Sequence, residues 1–185
     1  MTPDEFNDCF DRFSASAWRL EGLQAYTSPG EDDRIKAWRE GQPRPVRSVR
    51  TSPWLRRVAV TTAEGKQWGR VHVVRHPLSE YLRYELLGYV ESAAAGEEIG
   101  LVDQAASPAL AALGPDFWLF DRGTEHALAV LMHYDDHGSL AEYEPTNARG
   151  ALDECYRVQD LVLAHSVPLN AYLAAAGADA LGRVA

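Results

Sequence analysis

The sequence predicts an α+β fold: one mixed, mainly antiparallel sheet of about five strands, with helices packed mostly on one face. Three observations lead there. WGRVHVVR, a helical stretch over 78–91 and EIGLVDQ form a strand–helix–strand run, which implies a parallel, right-handed crossover. DFWLFD, residues 116–121, is apolar on both faces, as a strand in the middle of a sheet is. HALAVLMHYDDHGSLAEYE reads as two antiparallel strands turning at Asp135-Asp136-His137-Gly138.

The elements follow from local chemistry. Thr2-Pro3-Asp4-Glu5 supplies an N-cap, a proline at the first helical position and a glutamate three after the cap, starting a short helix to about Phe13. SAWRLEGLQAY has the content of an extended segment but only weak alternation. Ser28-Pro29-Gly30-Glu31 repeats the cap pattern, and a helix runs to Arg39 before Gly41 ends it. GQPRPVRSVRTSP, residues 41–53, is a proline- and arginine-rich loop. Ser52-Pro53 is a third cap, followed by Trp54, Leu55, Val58 and Thr61 on one helical face. Val58, Val60 and Thr62 also alternate, so a hairpin around AEGK competes with that helix. Gly96 stops the 78–91 helix, ASPALAALGP is a small helical or looped stretch, and a helix spans Asn147 to Ser166. Pro168 interrupts it before a last short helix in PLNAYLAAA. The whole reads as a single domain over 1–185, with an N-terminal helical portion to about residue 64 and a sheet-containing core over about 65–175.

Bulk properties bound the function. At 185 residues, 46% hydrophobic and 24% charged, the chain can bury a sizeable core without disulfides or metal. Cys9 and Cys155 form no spaced framework, which suits a reducing compartment. The acidic start MTPDEFNDCF lacks the apolar stretch of a signal peptide, and no apolar run approaches the roughly 18–20 residues of a membrane helix. The expected location is cytoplasmic. Charge is uneven within the net −9. Residues 34–75 carry nine arginines and two lysines against Glu40 and Glu64, while residues 93–185 carry four basic and fourteen acidic groups. Either the basic segment steers an acidic partner, or the two regions pair within the fold. The basic face lacks interleaved aromatics, so nucleic acid is not the expected partner.

One carboxylate stands out. On a helical wheel for 78–91, Leu78, Leu82, Leu86 and Tyr89 share an arc flanked by Tyr81, and Glu85 falls inside it. Ser79, Glu80, Arg83 and Glu91 lie opposite, and Tyr84 and Leu87 point outward with Glu80. A carboxylate aimed at the sheet needs an internal donor, or else it is a raised-pKa acid in a cleft. His76 sits where the strand becomes the helix, at the carboxyl end of a parallel strand where clefts form. His133 and His137 flank two aspartates, but a hairpin sends such residues to different faces, so no metal site is expected. Glu97, Glu98 and Asp103 read as a solvated strand end. No GxSxG, GxxxxGK[ST], strand-borne GxGxxG or HExxH is present, and no cofactor is expected.

AWRLE, GRVHVV with PLSEYLRYEL, AAAGEEI, DFWLFD and the acidic-turned hairpin occur in that order and spacing. Together, over roughly residues 6–175, they resemble an uncharacterised actinobacterial domain-of-unknown-function family, number six-eight-seven-nine. The resemblance implies a single domain of this length. It also implies a regulatory or partner-binding role, since members are commonly encoded near helix-turn-helix regulators. The expected function is therefore a non-enzymatic cytoplasmic interaction module, with a helix-turn-helix regulator as partner. Its surfaces would be the loop with Arg44, Arg47 and Arg50, and the outward side of the 78–91 helix with Leu87. The alternative is a small-molecule sensor with a cleft near His76, Tyr81 and Glu85, or a hydrolase or transferase using Glu85 with His76 or His72.

Overall fold

The computed structural model describes residues 1–28 and 30–176. Among them are seven α-helices: α1 (Pro3–Arg12), α2 (Glu31–Arg39), α3 (Pro53–Ala63), α4 (Glu80–Ala94), α5 (Pro108–Ala111), α6 (Arg149–His165) and α7 (Leu169–Ala176). The strands are β1 (Ser16–Glu21), β2 (Gln67–Val74), β3 (Glu97–Asp103), β4 (Asp116–Phe120), β5 (Leu128–Tyr134), β6 (Leu140–Thr146) and β7 (Val167–Pro168). They form one mixed sheet in the order β6-β5-β4-β1-β2-β3-β7. β1, β2 and β3 run parallel, and the remaining pairings are antiparallel.

The α+β architecture is as expected, but the sheet has seven strands rather than about five. The two additions are β7, only two residues long, and β1. Weak alternation in SAWRLE has a physical cause. β1 lies between β4 and β2 with both faces covered, and four of its six residues are buried. Its start is fixed by Asp121, at φ 52°, whose carboxylate accepts the backbone N–H groups of Ser14, Ala15 and Ser16 at 2.6–3.2 Å. The N-terminal portion therefore supplies a central strand of the sheet as well as helices.

Capping chemistry sets the helix starts. Thr2 and Glu5 make a complete capping box for α1, and the Ser52 and Ser79 side chains accept N–H groups at the starts of α3 and α4. Residues 53–63 are thus helix, and the hairpin is excluded. α2 starts differently from the expected cap: Gly30, at φ 73°, is its N-cap without a side-chain bond, and Pro29 lies outside the described residues.

Strand period divides the core in two. On one face Ala17, Trp68, Trp118, Phe120, Val130 and Met132 pack against Phe10 of α1 and Leu55 and Val58 of α3. Farther along that face Val74, Ile99 and Leu101 meet Leu82, Leu86 and Tyr89 of α4 and Leu169 of α7. On the other face Leu20, Val71, Val73, Phe117 and Leu119 meet Cys155, Val158 and Val162 of α6.

The hairpin turn makes one glycine indispensable. Gly138 has φ 77°, and a Cβ there would lie 2.7 Å from the Ala25 carbonyl oxygen. Gly138→Ala is expected to lower stability by about 1–3 kcal/mol in urea unfolding. Gly114→Ala, which meets nothing within 4 Å, leaves the midpoint nearly unchanged.

Candidate ligand site

Register builds a polar band into an apolar sheet. Arg19 pairs with Arg70 and Trp118, and Glu21 pairs with His72, so all of them share the α4 face. Arg70 donates to Glu21 Oε2 at 2.7 Å and to Glu97 Oε1 at 2.8 Å, while its guanidinium lies 5.1 Å from the Tyr89 ring centroid. Arg19 Nε is 3.0 Å from Glu21 Oε1, too far off line to count as a hydrogen bond. Burial pushes the Glu21 carboxyl up, but Arg19, Arg70 and the Tyr89 hydroxyl outweigh it and hold Glu21 far below the usual range. Its two arginines thus favour Glu21 as the anion.

His72 is fully buried between two partners. Its Nε2 lies 2.7 Å from the Leu23 carbonyl, so that nitrogen carries a proton and donates. Its Nδ1 lies 2.6 Å from the Tyr89 hydroxyl, which also lies 2.7 Å from Glu21 Oε2. With a neutral ring the single hydroxyl proton serves one of these contacts at a time. An imidazolium would satisfy both, but burial depresses the His72 pKa against the pull of Glu21.

The sequence reasoning missed this band. The buried carboxylates among the described residues are Glu21, Glu97, Asp116 and Asp121, not Glu85. Glu97 is 3% exposed on Arg70 rather than part of a solvated strand end, whereas Glu98 beside it is exposed. Glu85 is only half-buried, its carboxylate near Gly88, where the Arg44 and Arg47 guanidiniums also come. The clamp of that helix is instead Glu91, assigned to the solvent side. Its side chain is 11% exposed, bound by Arg44 at 2.6 Å and by Arg47 at 2.8 Å. Tyr84 is likewise buried, against Trp38 and the Arg44 guanidinium, rather than outward. Leu87 is half-buried and Arg50 exposed. His76 is half-exposed, 4.0 Å from Asp103 and stacked on Tyr172, and Tyr81 lies beside Tyr26. His76 and Glu85 line neither cavity described next. The hairpin histidines do not gather: His133 Nε2 meets Glu144 at 2.7 Å, and the His137 N–H donates to Asp135. No metal-holding group of three His, Cys, Asp or Glu side chains occurs among the described residues.

Two cavities lie at opposite ends of the parallel strands. At the carboxyl end a cleft of about 330 Å³ is lined by Leu23, Val73, Leu110, Asp116, His133 and Tyr134. Burial raises Asp116 to about 6, although its Oδ1 accepts Gly22 N–H at 2.8 Å and its Oδ2 accepts the Tyr26 hydroxyl. Both oxygens are thus engaged inside the protein. At the amino end a larger cavity of about 910 Å³ wraps the end of the sheet, lined on the α6 face by Trp18, Gly69, Gly100 and Leu163 and on the α4 face by Val90 of α4 and Leu173 of α7. Its polar lining includes Gln159, whose side-chain oxygen accepts Arg122 at 2.7 Å. The Trp18 indole covers Gly69, where a Cβ would lie 2.7 Å from its Cδ1.

Two outcomes follow. Arg70→Met leaves Glu21 and Glu97 without their shared cation and is expected to cost about 3–5 kcal/mol in denaturant unfolding. For Asp116, a folded pKa above the unfolded 3.8 means the native state binds the extra proton. Its contribution is therefore fully present below 3.8 and is lost as pH rises through about 6. The stability difference between wild type and Asp116→Asn should therefore grow in favour of wild type, by about 1–3 kcal/mol, as pH falls from 7 to 4.

A family model described as a domain of unknown function (DUF6879) matches residues 4–174. No curated protein and no solved structure matches the chain. With nearly all of its residues inside that match, sheet and both cavities included, the chain belongs to the DUF6879 family of domains of unknown function.

Proposed function

We propose that this domain is a non-enzymatic small-molecule-binding module, a sensor whose site is the 910 Å³ cavity at the amino ends of β1, β2 and β3. One observation carries the reading. Of the six large hydrophobic side chains exposed among the described residues, Val90 and Leu163 line this cavity and Val167 adjoins its lining residue Pro168. Size and lining agree, since ligand pockets run to about 300–1,000 Å³ with mostly apolar walls and few polar groups. The smaller cleft is a weaker candidate because Asp116 is already held by Gly22 and Tyr26. The arginine loop is a weaker surface for an acidic partner because Arg44 and Arg47 are bound to Glu91.

The regulatory role expected from the sequence fits a sensor, with a helix-turn-helix regulator as the protein that would read occupancy. A cytoplasmic setting belongs to the same proposal: Cys9 and Cys155 are buried free thiols, which suits a reducing compartment. No described helix is long and apolar enough to cross a membrane.

The test is a thermal-shift screen of fractionated metabolites from the native host against wild type, Leu163→Trp and Val90→Trp. A ligand at about 100 times its Kd adds roughly 2.7 kcal/mol, a shift of several degrees. Such a shift in wild type, lost in both variants, supports the proposal. If no fraction moves wild type, while a regulator protein co-purifies equally with all three, the sensor reading is wrong.

A further inference from the structure

We infer that the cavity takes an amphipathic organic cation, its charged head held between the Glu98 carboxylate and the Trp18 indole; this rests on the ligand-binding reading above. Register brings the two groups together. Trp18 pairs with Gly69 and Gly69 pairs with Glu98, so the three residues stand in one line across the parallel strands, on one face. Two strand spacings separate Trp18 from Glu98, roughly 10 Å between backbones. The middle position has no side chain, and the Trp18 indole lies over it, its Cδ1 2.7 Å from where a Cβ would be. A cation near the carboxylate therefore also meets the ring, where ion pairing and cation–π attraction act together.

Charge accounting fixes the sign of the ligand. The two guanidiniums lining the cavity are already neutralised. Arg70 is bound to Glu21 and Glu97, and Arg122 is bound to Asp160 and the Gln159 side-chain oxygen. Glu98 is exposed and makes no ion pair or hydrogen bond among the described residues, which leaves it as the uncompensated charge of the lining. Leu163 of α6, on the same face of the sheet as Trp18 and Glu98, would cover the apolar body of the ligand. A net charge of −9 on the chain draws in cations from a distance as well.

The experiment compares tetraphenylphosphonium with tetraphenylborate, ions of nearly the same shape and opposite charge, by titration calorimetry on the full chain at one ionic strength. N-phenyl-1-naphthylamine serves as the neutral probe, followed by its fluorescence. The phosphonium is expected to bind roughly tenfold or more tightly than the borate, as a desolvated ion pair with a cation–π contact allows. Glu98→Gln should remove most of that preference. Asp136→Asn, which deletes the same charge at an exposed position in the β5–β6 turn, at the opposite end of the sheet, should not. Equal binding of both ions, or a preference untouched by Glu98→Gln, overturns the cation assignment. If the neutral probe still binds wild type but not Leu163→Trp, the cavity reading stands without it. If none of the three probes binds, both readings fall.

Discussion

The Arg70 guanidinium, bridging Glu21 and Glu97, is the interaction on which the rest depends. Three parallel strands are joined only by long crossovers, so nothing local sets their register. A buried cation with a carboxylate on each side does set it. A one-residue slip of β2 would turn Arg70 into the apolar layer beneath α6 and leave two anions buried without a counterion. The same bridge orients α4, because Tyr89 places its ring on Arg70 and its hydroxyl on Glu21. Replacing such a network by hydrocarbon can raise stability, so its contribution here is to register more than to total free energy.

The uneven charge of the sequence is resolved largely within the first half of the chain. Arg39 binds Glu80, Arg44 and Arg47 bind Glu91, and Arg57 binds Asp11. The long arginine loop is thereby strapped across α4 instead of standing free. Of the acidic residues after 93, Glu97 meets this basic segment through Arg70, and His76 lies near Asp103. Much of the later acidic excess faces solvent, Glu98 included.

The cavity lies where α6 runs out over the amino ends of the strands. Gly69 and Gly100 supply no side chains beneath the last turn of α6, and α6 ends at His165 before Ser166 turns the chain into β7. Sheet and helices part there, while a few residues farther along Val71 and Val73 close the gap against Val158 and Val162. A dry, close-packed middle with an open end is what lets one sheet be both scaffold and binding wall.

Much of the architecture was legible in the sequence because it is local. The Thr2 capping box, the Ser52 and Ser79 caps, the closing glycines, the two-faced apolar run of DFWLFD and the turn at Gly138 each encode their element within a few residues. The helical wheel of α4 also placed Leu82, Leu86 and Tyr89 correctly on the face that meets the sheet, though it turned the buried Tyr84 outward. What only the tertiary structure decided is which charges are inside. Arg19 and Glu21, like Arg70 and His72, are two apart on strands and so share a face, but a single strand does not say whether that face meets water or a helix. Glu85 and Glu91 show the same limit, because their burial depends on a loop forty residues upstream folding back over α4. The line of Trp18, Gly69 and Glu98 exists only once three distant strands are in register. Periodicity and capping act over one turn or one strand, whereas the energy of a buried charge is set by partners that the chain brings from far away.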